Sequence, residues 1–427
     1  MPSSRRALTG DTLADIDARL ADTDEALARL YPGDDGRRQP VHTVYVPADR
    51  YTPDLPASWG AAALAAADKA GGLAAVADTV GAGTEASRAT LAALVRAKLE
   101  SEPIEDLRLD FEDGYGDRGD DVEDAHVAQA VEAAAQAFAD GIAPPFLGIR
   151  FKCFEAPTRA RGLRTLDLFL TGLAEHGLPD GLTLTLPKVT TVAQVEAMAL
   201  VAERLETSLG LPSGRLRFEV QVETPQVILA ADGTAPVARL IHAAAGRVSS
   251  LHYGTYDYSA SLGIAAAYQA MDHPAADHAK NVMQLAVAGT GVHMSDGSTN
   301  ILPIGDAEHV AAAWRLHARL VRRHLERGIY QGWDLHPHQL VTRYLATYAF
   351  YRDGFPPAAR RLRDYVHHVD SAIMDEPATA RALASFIHRG LACGALTATD
   401  VESQAEVTVG TVRDLALKRP IEENSHG

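Results

Sequence analysis

Residues 216–224 read LRFEVQVET, and the alternation inside this run decides the architecture. Side chains two apart on a strand share a face, so Phe218, Val220 and Val222 form one side while Glu219, Gln221 and Glu223 form the other. The question is where a strand can put three consecutive polar side chains. Seven further β-rich runs answer it: HTVYVPA (42–48), LRLDFED (107–113), FLGIRFKCF (146–154), LTLTLPKV (182–189), SSLHYGTYD (249–257), GVHMSDG (291–297) and YQGWDLHP (330–337). Between most of them lie Ala-rich helical stretches, such as 121–139 and 191–209, long enough for right-handed crossovers between parallel strands. Eight strands in this alternation predict an α/β fold of the (β/α)8 TIM barrel type, with a doubly wound sheet as the runner-up.

The predicted organisation is a helical arm over 1–39, a barrel over 40–345 and a helical lid or extension over 346–427. In a barrel the polar faces point into the lumen. There Arg108, Asp110 and Glu112 join Glu219, Gln221 and Glu223, and Arg150 shares a face with Lys152. Unpaired buried charge costs several kcal/mol, so these groups must pair, bind a ligand or bind a cation. Strand-end charges in this fold are commonly catalytic, which favours a functional lumen over a purely structural ion-pair network. Glu223 and Asp257, at the ends of neighbouring strands, leave room for water and a chelating substrate. Oxygen ligands in small number suit Mg2+ better than zinc.

The bulk properties exclude other classes. A formal charge of -16 opposes nonspecific attraction to nucleic acid and to anionic membranes. Apolar residues at 47% and charged residues at 22% give the balance of a globular core. Cys153 and Cys393 form neither a zinc ribbon nor a disulfide framework, and no signal peptide or membrane span is recognisable, so a cytoplasmic location is expected. VGAGTEA (80–86) and AGTGVHM (288–294) lack the third glycine of a dinucleotide fingerprint, and no P-loop occurs. His336 and His338 read as loop histidines, His273 and His278 as surface. His252 and His293, on strands beside the lumen, are either proton donors or packed core histidines. The acidic run LRLDFEDGYGDRGDD (107–121) does not fit a calcium loop. It splits into lumen groups, Asp110 and Glu112, and a solvated turn over 117–121.

DFED followed by an arginine on the next strand, then LPKV, VET and GTYDYSASLG, occur in the order found in malate synthases and in the citrate lyase β-subunit and HpcH/HpaI aldolase group. LETSLGLPSGRLRFEVQVET resembles malate synthase, and YQGWDLHPHQL is similar to the strand-eight region of citrate lyase β-like proteins. The resemblance covers roughly residues 42–390 and implies a phosphoenolpyruvate/pyruvate type barrel that uses Mg2+, with Mn2+ as the alternative ion. It implies Glu223 and Asp257 as metal ligands and Arg150 as the group that stabilises an enolate or keto oxygen. Asp110, Glu112 and Asp113 would support the metal site or substrate, and Lys188 would be structural or anion-orienting.

IMDEPATARA (373–382) resembles the family's C-terminal acid motif. Registration on D-E-P selects Asp375 as the catalytic acid, whereas the malate synthase register selects Glu376; Asp375 is favoured. The implied activity is a Mg2+-dependent carbon-carbon lyase or synthase of aldol or Claisen type on a 2-oxo acid, with a coenzyme A thioester as candidate second substrate. The alternatives are a CoA-independent aldolase releasing pyruvate or glyoxylate from a hydroxy acid, and a keto-acid-sensing barrel without turnover. A homo-oligomer whose subunits complete each other's sites is the expected assembly.

Overall fold

The computed structural model describes residues 8, 10–369 and 376–419. All eight expected strands form: β1 His42–Pro47, β2 Asp106–Asp110, β3 Phe146–Arg150, β4 Leu182–Leu186, β5 Phe218–Val222, β6 Val248–Tyr253, β7 His293–Ser295 and β8 Gly332–Asp334. Every pairing is parallel, in the order β7-β6-β5-β4-β3-β2-β1-β8. The ring closes through a bridge between Ser295 and Gln331, and the Asp296 N–H donates to the Gln331 carbonyl at 2.9 Å. The fold is a (β/α)8 barrel with helices added at both ends.

The crossover helices bury an apolar stripe against the strands, and some also start on a side-chain cap. The helix Val192–Leu209 begins on a capping box of Thr191 and Gln194, and it buries Val195, Met198 and Ala202. The outward faces of the strands, including Leu107, Leu109, Ile149, Leu184, Phe218, Val220 and Val222, are wholly buried beneath such helices. Fully burying a side chain of this size contributes about 1.5–3 kcal/mol. The N-terminal helix Gly10–Leu30 buries nothing and stands apart from this core.

After β8, one helix, Pro337–Val366, runs through residue 345 and contains Pro356 and Pro357. His336 caps it, accepting from the His338 N–H at 3.2 Å, while His338 Nδ1 lies 2.9 Å from the Pro303 carbonyl. Arg343 then anchors the helix to the barrel by a two-armed contact with Asp334 at 3.0 Å on each oxygen. Asp334 also meets His42 at 2.7 Å and His317 at 3.0 Å, so this buried carboxylate is fully partnered. Among the described residues no helix is long and apolar enough to cross a membrane.

Candidate active site

The lumen holds two polar layers with different character. In the lower one, Arg108 from β2 donates to both oxygens of Glu219 from β5, at 3.2 and 2.8 Å, and also grips Asp106. Thr185 Oγ1 donates to Glu219 at 2.5 Å, Tyr45 Oη donates at 3.3 Å, and His252 Nε2 lies 3.1 Å away. Against its burial, Arg108 and His252 hold Glu219 well below the usual carboxylate range. In this layer Arg108 and Glu219 are mutually paired, the structural outcome ranked second from sequence, while His252 Nε2, although 3.1 Å from Glu219, makes no hydrogen bond among the described residues.

The upper layer, at the C-terminal strand ends, is different. Asp110, the last residue of β2, pairs with Arg150, the last of β3, and the two are register partners. Both contacts, Nε to Oδ1 and Nη2 to Oδ2, are 2.7 Å. Asp110 also accepts the N–H groups of Glu112 at 3.0 Å and Gly114 at 2.8 Å, so it shapes the turn that follows it. Arg150 stacks 4.8 Å over the Tyr45 ring, which favours a fixed cation. Among the described residues its remaining nitrogen, Nη1, reaches only Gln221 at 3.5 Å and Glu112 at 3.6 Å. The guanidinium is thus clamped on one edge and lightly engaged on the other.

Lys188 follows β4 with a left-handed backbone, φ 49°, a conformation that costs a non-glycine residue about 1–2 kcal/mol. The strain aims its groups: the amine sits 2.8 Å from Glu112, 2.5 Å from Asp113 and 3.8 Å from Asp257. Its N–H donates to Glu223 Oε2 at 3.3 Å. Against burial, the Asp113 and Glu112 partners hold the Lys188 ammonium above its usual range. Hydrogen bonds from Glu112 and Lys188 overcome burial to hold Asp113 low, whereas burial pushes Glu112 up despite Arg150.

Glu223 lies just past β5 and is 2% exposed. Burial, reinforced by Asp257 and Glu112 and opposed by Arg150, pushes its carboxyl up to about 8. Gly254 permits this placement, because a Cβ there would stand 2.2 Å from Glu223 Cγ. Asp257 projects from the first turn of the helix Thr255–Ser261 with about half of its side chain exposed.

Five carboxylates, Asp110, Glu112, Asp113, Glu223 and Asp257, therefore gather around two cations, Arg150 and Lys188. Among the described residues no group of three or more His, Cys, Asp or Glu side chains is poised to hold a metal. The residues nonetheless fit a hard divalent ion, since Mg2+ is usually bound by one or two carboxylates together with waters and substrate oxygens. Glu223 is the observation that favours it: a buried carboxyl with a single N–H donor among the described residues, beside an excess of negative charge.

Of the residues singled out from sequence, Asp110, Glu112, Asp113, Arg150, Lys188, Glu223 and Asp257 come together. Lys152 does not share the lumen with Arg150. β3 ends at Arg150, the alternation stops there, and the Lys152 amine turns away to Glu123 at 2.6 Å and to the Phe111 carbonyl at 2.8 Å. His252 belongs to the lower layer, and His293 lies at the opposite mouth, where burial lowers it to about 4. Asp375 lies outside the described residues. Glu376 is the exposed N-cap of the helix Pro377–Ala392, and among the described residues no hydrogen bond or ion pair joins it to Arg150, Lys188, Glu223 or Asp257. Tyr45, beneath Arg150, was missed; alternation in HTVYVPA places it on the face of Thr43, whose hydroxyl binds Asp106.

Solved structures resemble the chain at low sequence identity, and the first of these shares its fold. A citrate lyase from Burkholderia xenovorans LB400 is 19% identical, with 87% of this chain and 97% of that one covered at a TM-score of 0.55. A malate synthase from Haloferax volcanii, solved at 3 mM glyoxylate, is 14% identical over 90% and 98% of the two chains at 0.49. The CitE protein of Mycobacterium tuberculosis, in complex with magnesium, acetoacetate and coenzyme A, is 17% identical over 87% and 100% at 0.47. No curated protein matches the chain. One family model spans residues 20–420, and the chain belongs to that family, described as Domain of unknown function (DUF6986).

Proposed function

We propose that this protein is a Mg2+-dependent carbon-carbon lyase or synthase, of aldol or Claisen type, acting on a 2-oxo acid. The observation that carries the reading is Glu223, a buried carboxyl pushed up to about 8 within a cluster of five carboxylates and two cations at the C-terminal barrel mouth. In this reading Glu223 and Asp257 hold the divalent ion, with Mn2+ able to replace Mg2+. The ion supplies polarisation of the 2-oxo group and charge for its carboxylate.

The protein's own groups do the rest. Arg150, locked by Asp110 and stacked on Tyr45, presents Nη1 to the oxygen on which negative charge develops as the carbon-carbon bond breaks or forms. A donor fixed before reaction needs no reorganisation, which is why the clamp by Asp110 matters as much as the charge. Lys188 holds Glu112 and Asp113 and orients the substrate carboxylate. Asp375, or Glu376 in the alternative register, moves the proton.

The test is an assay of purified protein with Mg2+ for cleavage of malate and citramalate, for condensation of glyoxylate with acetyl-CoA, and for pyruvate or glyoxylate release from free hydroxy acids. Turnover that is lost on adding EDTA, and reduced about 10²–10³-fold in Arg150→Lys, supports the proposal. Turnover only with thioesters selects the CoA-dependent version, and turnover only with free acids selects the CoA-independent aldolase. Keto acids that raise the melting temperature without any product would make the barrel a sensor and overturn the catalytic reading.

A further inference from the structure

The opposite end of the barrel holds a second cavity of about 310 Å³. It is lined by the opening residues of β2, β3, β4, β6 and β7, by Arg215 and Arg217 ahead of β5, and by the arm that precedes β1. Its walls carry five arginines against three carboxylates in a chain whose formal charge is -16. Three of the arginines are paired: Arg37 with Asp35, Arg38 with Glu102 and Glu105, Arg108 with Asp106 and Glu219. Among the described residues Arg215 and Arg217 form no ion pair, and their hydrogen bonds go to backbone carbonyls, those of Leu178 and Pro179 for Arg215 and that of Val248 for Arg217.

A second observation points the same way. Among the described residues ten buried side-chain polar atoms have no hydrogen-bond partner, and five of them, Arg38 Nε, Arg217 Nε, Ser249 Oγ, Ser250 Oγ and His252 Nε2, belong to side chains that line this cavity. Ser250 is 6% exposed. Buried donors left unpaired cost about 1–3 kcal/mol each, so their gathering around one void is the signature of a missing acceptor. A carboxylate presents its oxygens in one plane, matched by one guanidinium fork, whereas a phosphate accepts from several directions. Here the donors come from three segments: the arm, the approach to β5, and β6.

We propose that the N-terminal mouth of the barrel is a binding site for a phosphate group, held by Arg215, Arg217, Ser249 and Ser250 beneath the arm carrying Arg37 and Arg38. It is separate from the C-terminal mouth and does not depend on the reaction proposed there. The arm also connects it to the C-terminal extension: Gln39 accepts from Arg389 at 2.9 Å, and Asp34 meets the same arginine at 3.3 Å. Arg389 lies on the helix whose N-cap is Glu376.

The experiment is isothermal titration of the full chain with inorganic phosphate and with pyrophosphate at constant ionic strength, with citrate as the carboxylate arm. One equivalent should bind saturably, at least tenfold more weakly in Arg217→Gln and in Ser250→Ala, and unchanged in Glu223→Gln and in the exposed control Arg164→Gln. In parallel, phosphate should protect Arg215 and Arg217 of the unmutated chain from phenylglyoxal, read by mass spectrometry, which needs no variant to fold. Absence of saturable binding overturns the proposal, as does binding that survives Arg217→Gln or is lost in Glu223→Gln. Citrate binding as tight as pyrophosphate overturns the phosphate assignment.

Discussion

Replacing Glu223 by glutamine in metal-free protein should remove this residue's contribution to the loss of stability as pH rises. The carboxyl is pushed up to about 8 in the fold from a reference of 4.5. A raised acid keeps its proton in the folded state while the unfolded chain releases it. Stability is therefore fully present below 4.5 and is lost as pH rises through 8. A tenfold difference in proton affinity between the folded and unfolded chain is worth about 1.36 kcal/mol, so this one group accounts for up to about 5 kcal/mol across that window. Glutamine keeps the shape and has nothing to ionise.

The assay is urea unfolding of EDTA-treated protein at intervals from pH 5 to 9. Wild type and Glu223→Gln should be nearly equal at pH 5 and diverge above it, the variant being more stable by several kcal/mol at pH 9. A saturating divalent ion should then raise the wild type by roughly 3 kcal/mol at a hundred times its dissociation constant, and leave the variant nearly unmoved. Parallel pH curves for the two proteins would refute the argument that Glu223 is buried without a compensating cation.

Gly254→Ala should weaken Mg2+ binding at least tenfold by calorimetry, since the new Cβ would stand 2.5 Å from Glu223 Oε1; unchanged affinity would show that the carboxyl is free to move. Asp110→Ala leaves the buried Arg150 without its two-armed partner and should cost about 3–5 kcal/mol in urea unfolding, a loss that a surface pair would not produce. Burial and the neighbouring Arg343 hold His324 neutral, lowered to about 3 from 6.5. A depressed histidine contributes stability above 6.5 that falls away as pH drops toward 3, up to about 5 kcal/mol, so unfolding midpoints should decline from pH 6.5 to 4.5; a flat profile would contradict the assignment.

Period-two alternation made the barrel and much of its site legible. Glu219, Gln221 and Glu223 face inward as the run 216–224 implies, and Asp110 and Arg150 fall together because their strands are neighbours in register. What alternation cannot supply is where a strand stops, which is why Lys152, two residues past the end of β3, escapes to Glu123. It cannot say which lumen charges find partners across the ring, since Arg108 and Glu219 are three strands apart. Nor does it place Glu376, which is the exposed N-cap of the helix Pro377–Ala392 and makes no hydrogen bond or ion pair with the site among the described residues.

The two lumen layers show how one strand face carries carboxylates in two different states. Glu219 and Glu223 are the same residue type on the same side of one strand, four positions apart. Glu219 meets Arg108, Thr185, Tyr45 and His252, and its charge is held well below the usual range. Among the described residues Glu223 accepts from one backbone N–H, and burial, reinforced by the charges of Asp257 and Glu112, suppresses its ionisation. Donor supply, not residue type, separates them. A lumen carboxylate whose donors are complete can only hold the barrel together, because any ligand must first displace them at a cost of several kcal/mol. The one left short of donors is where an external cation gains most, and it sits at the mouth where this fold opens to substrate.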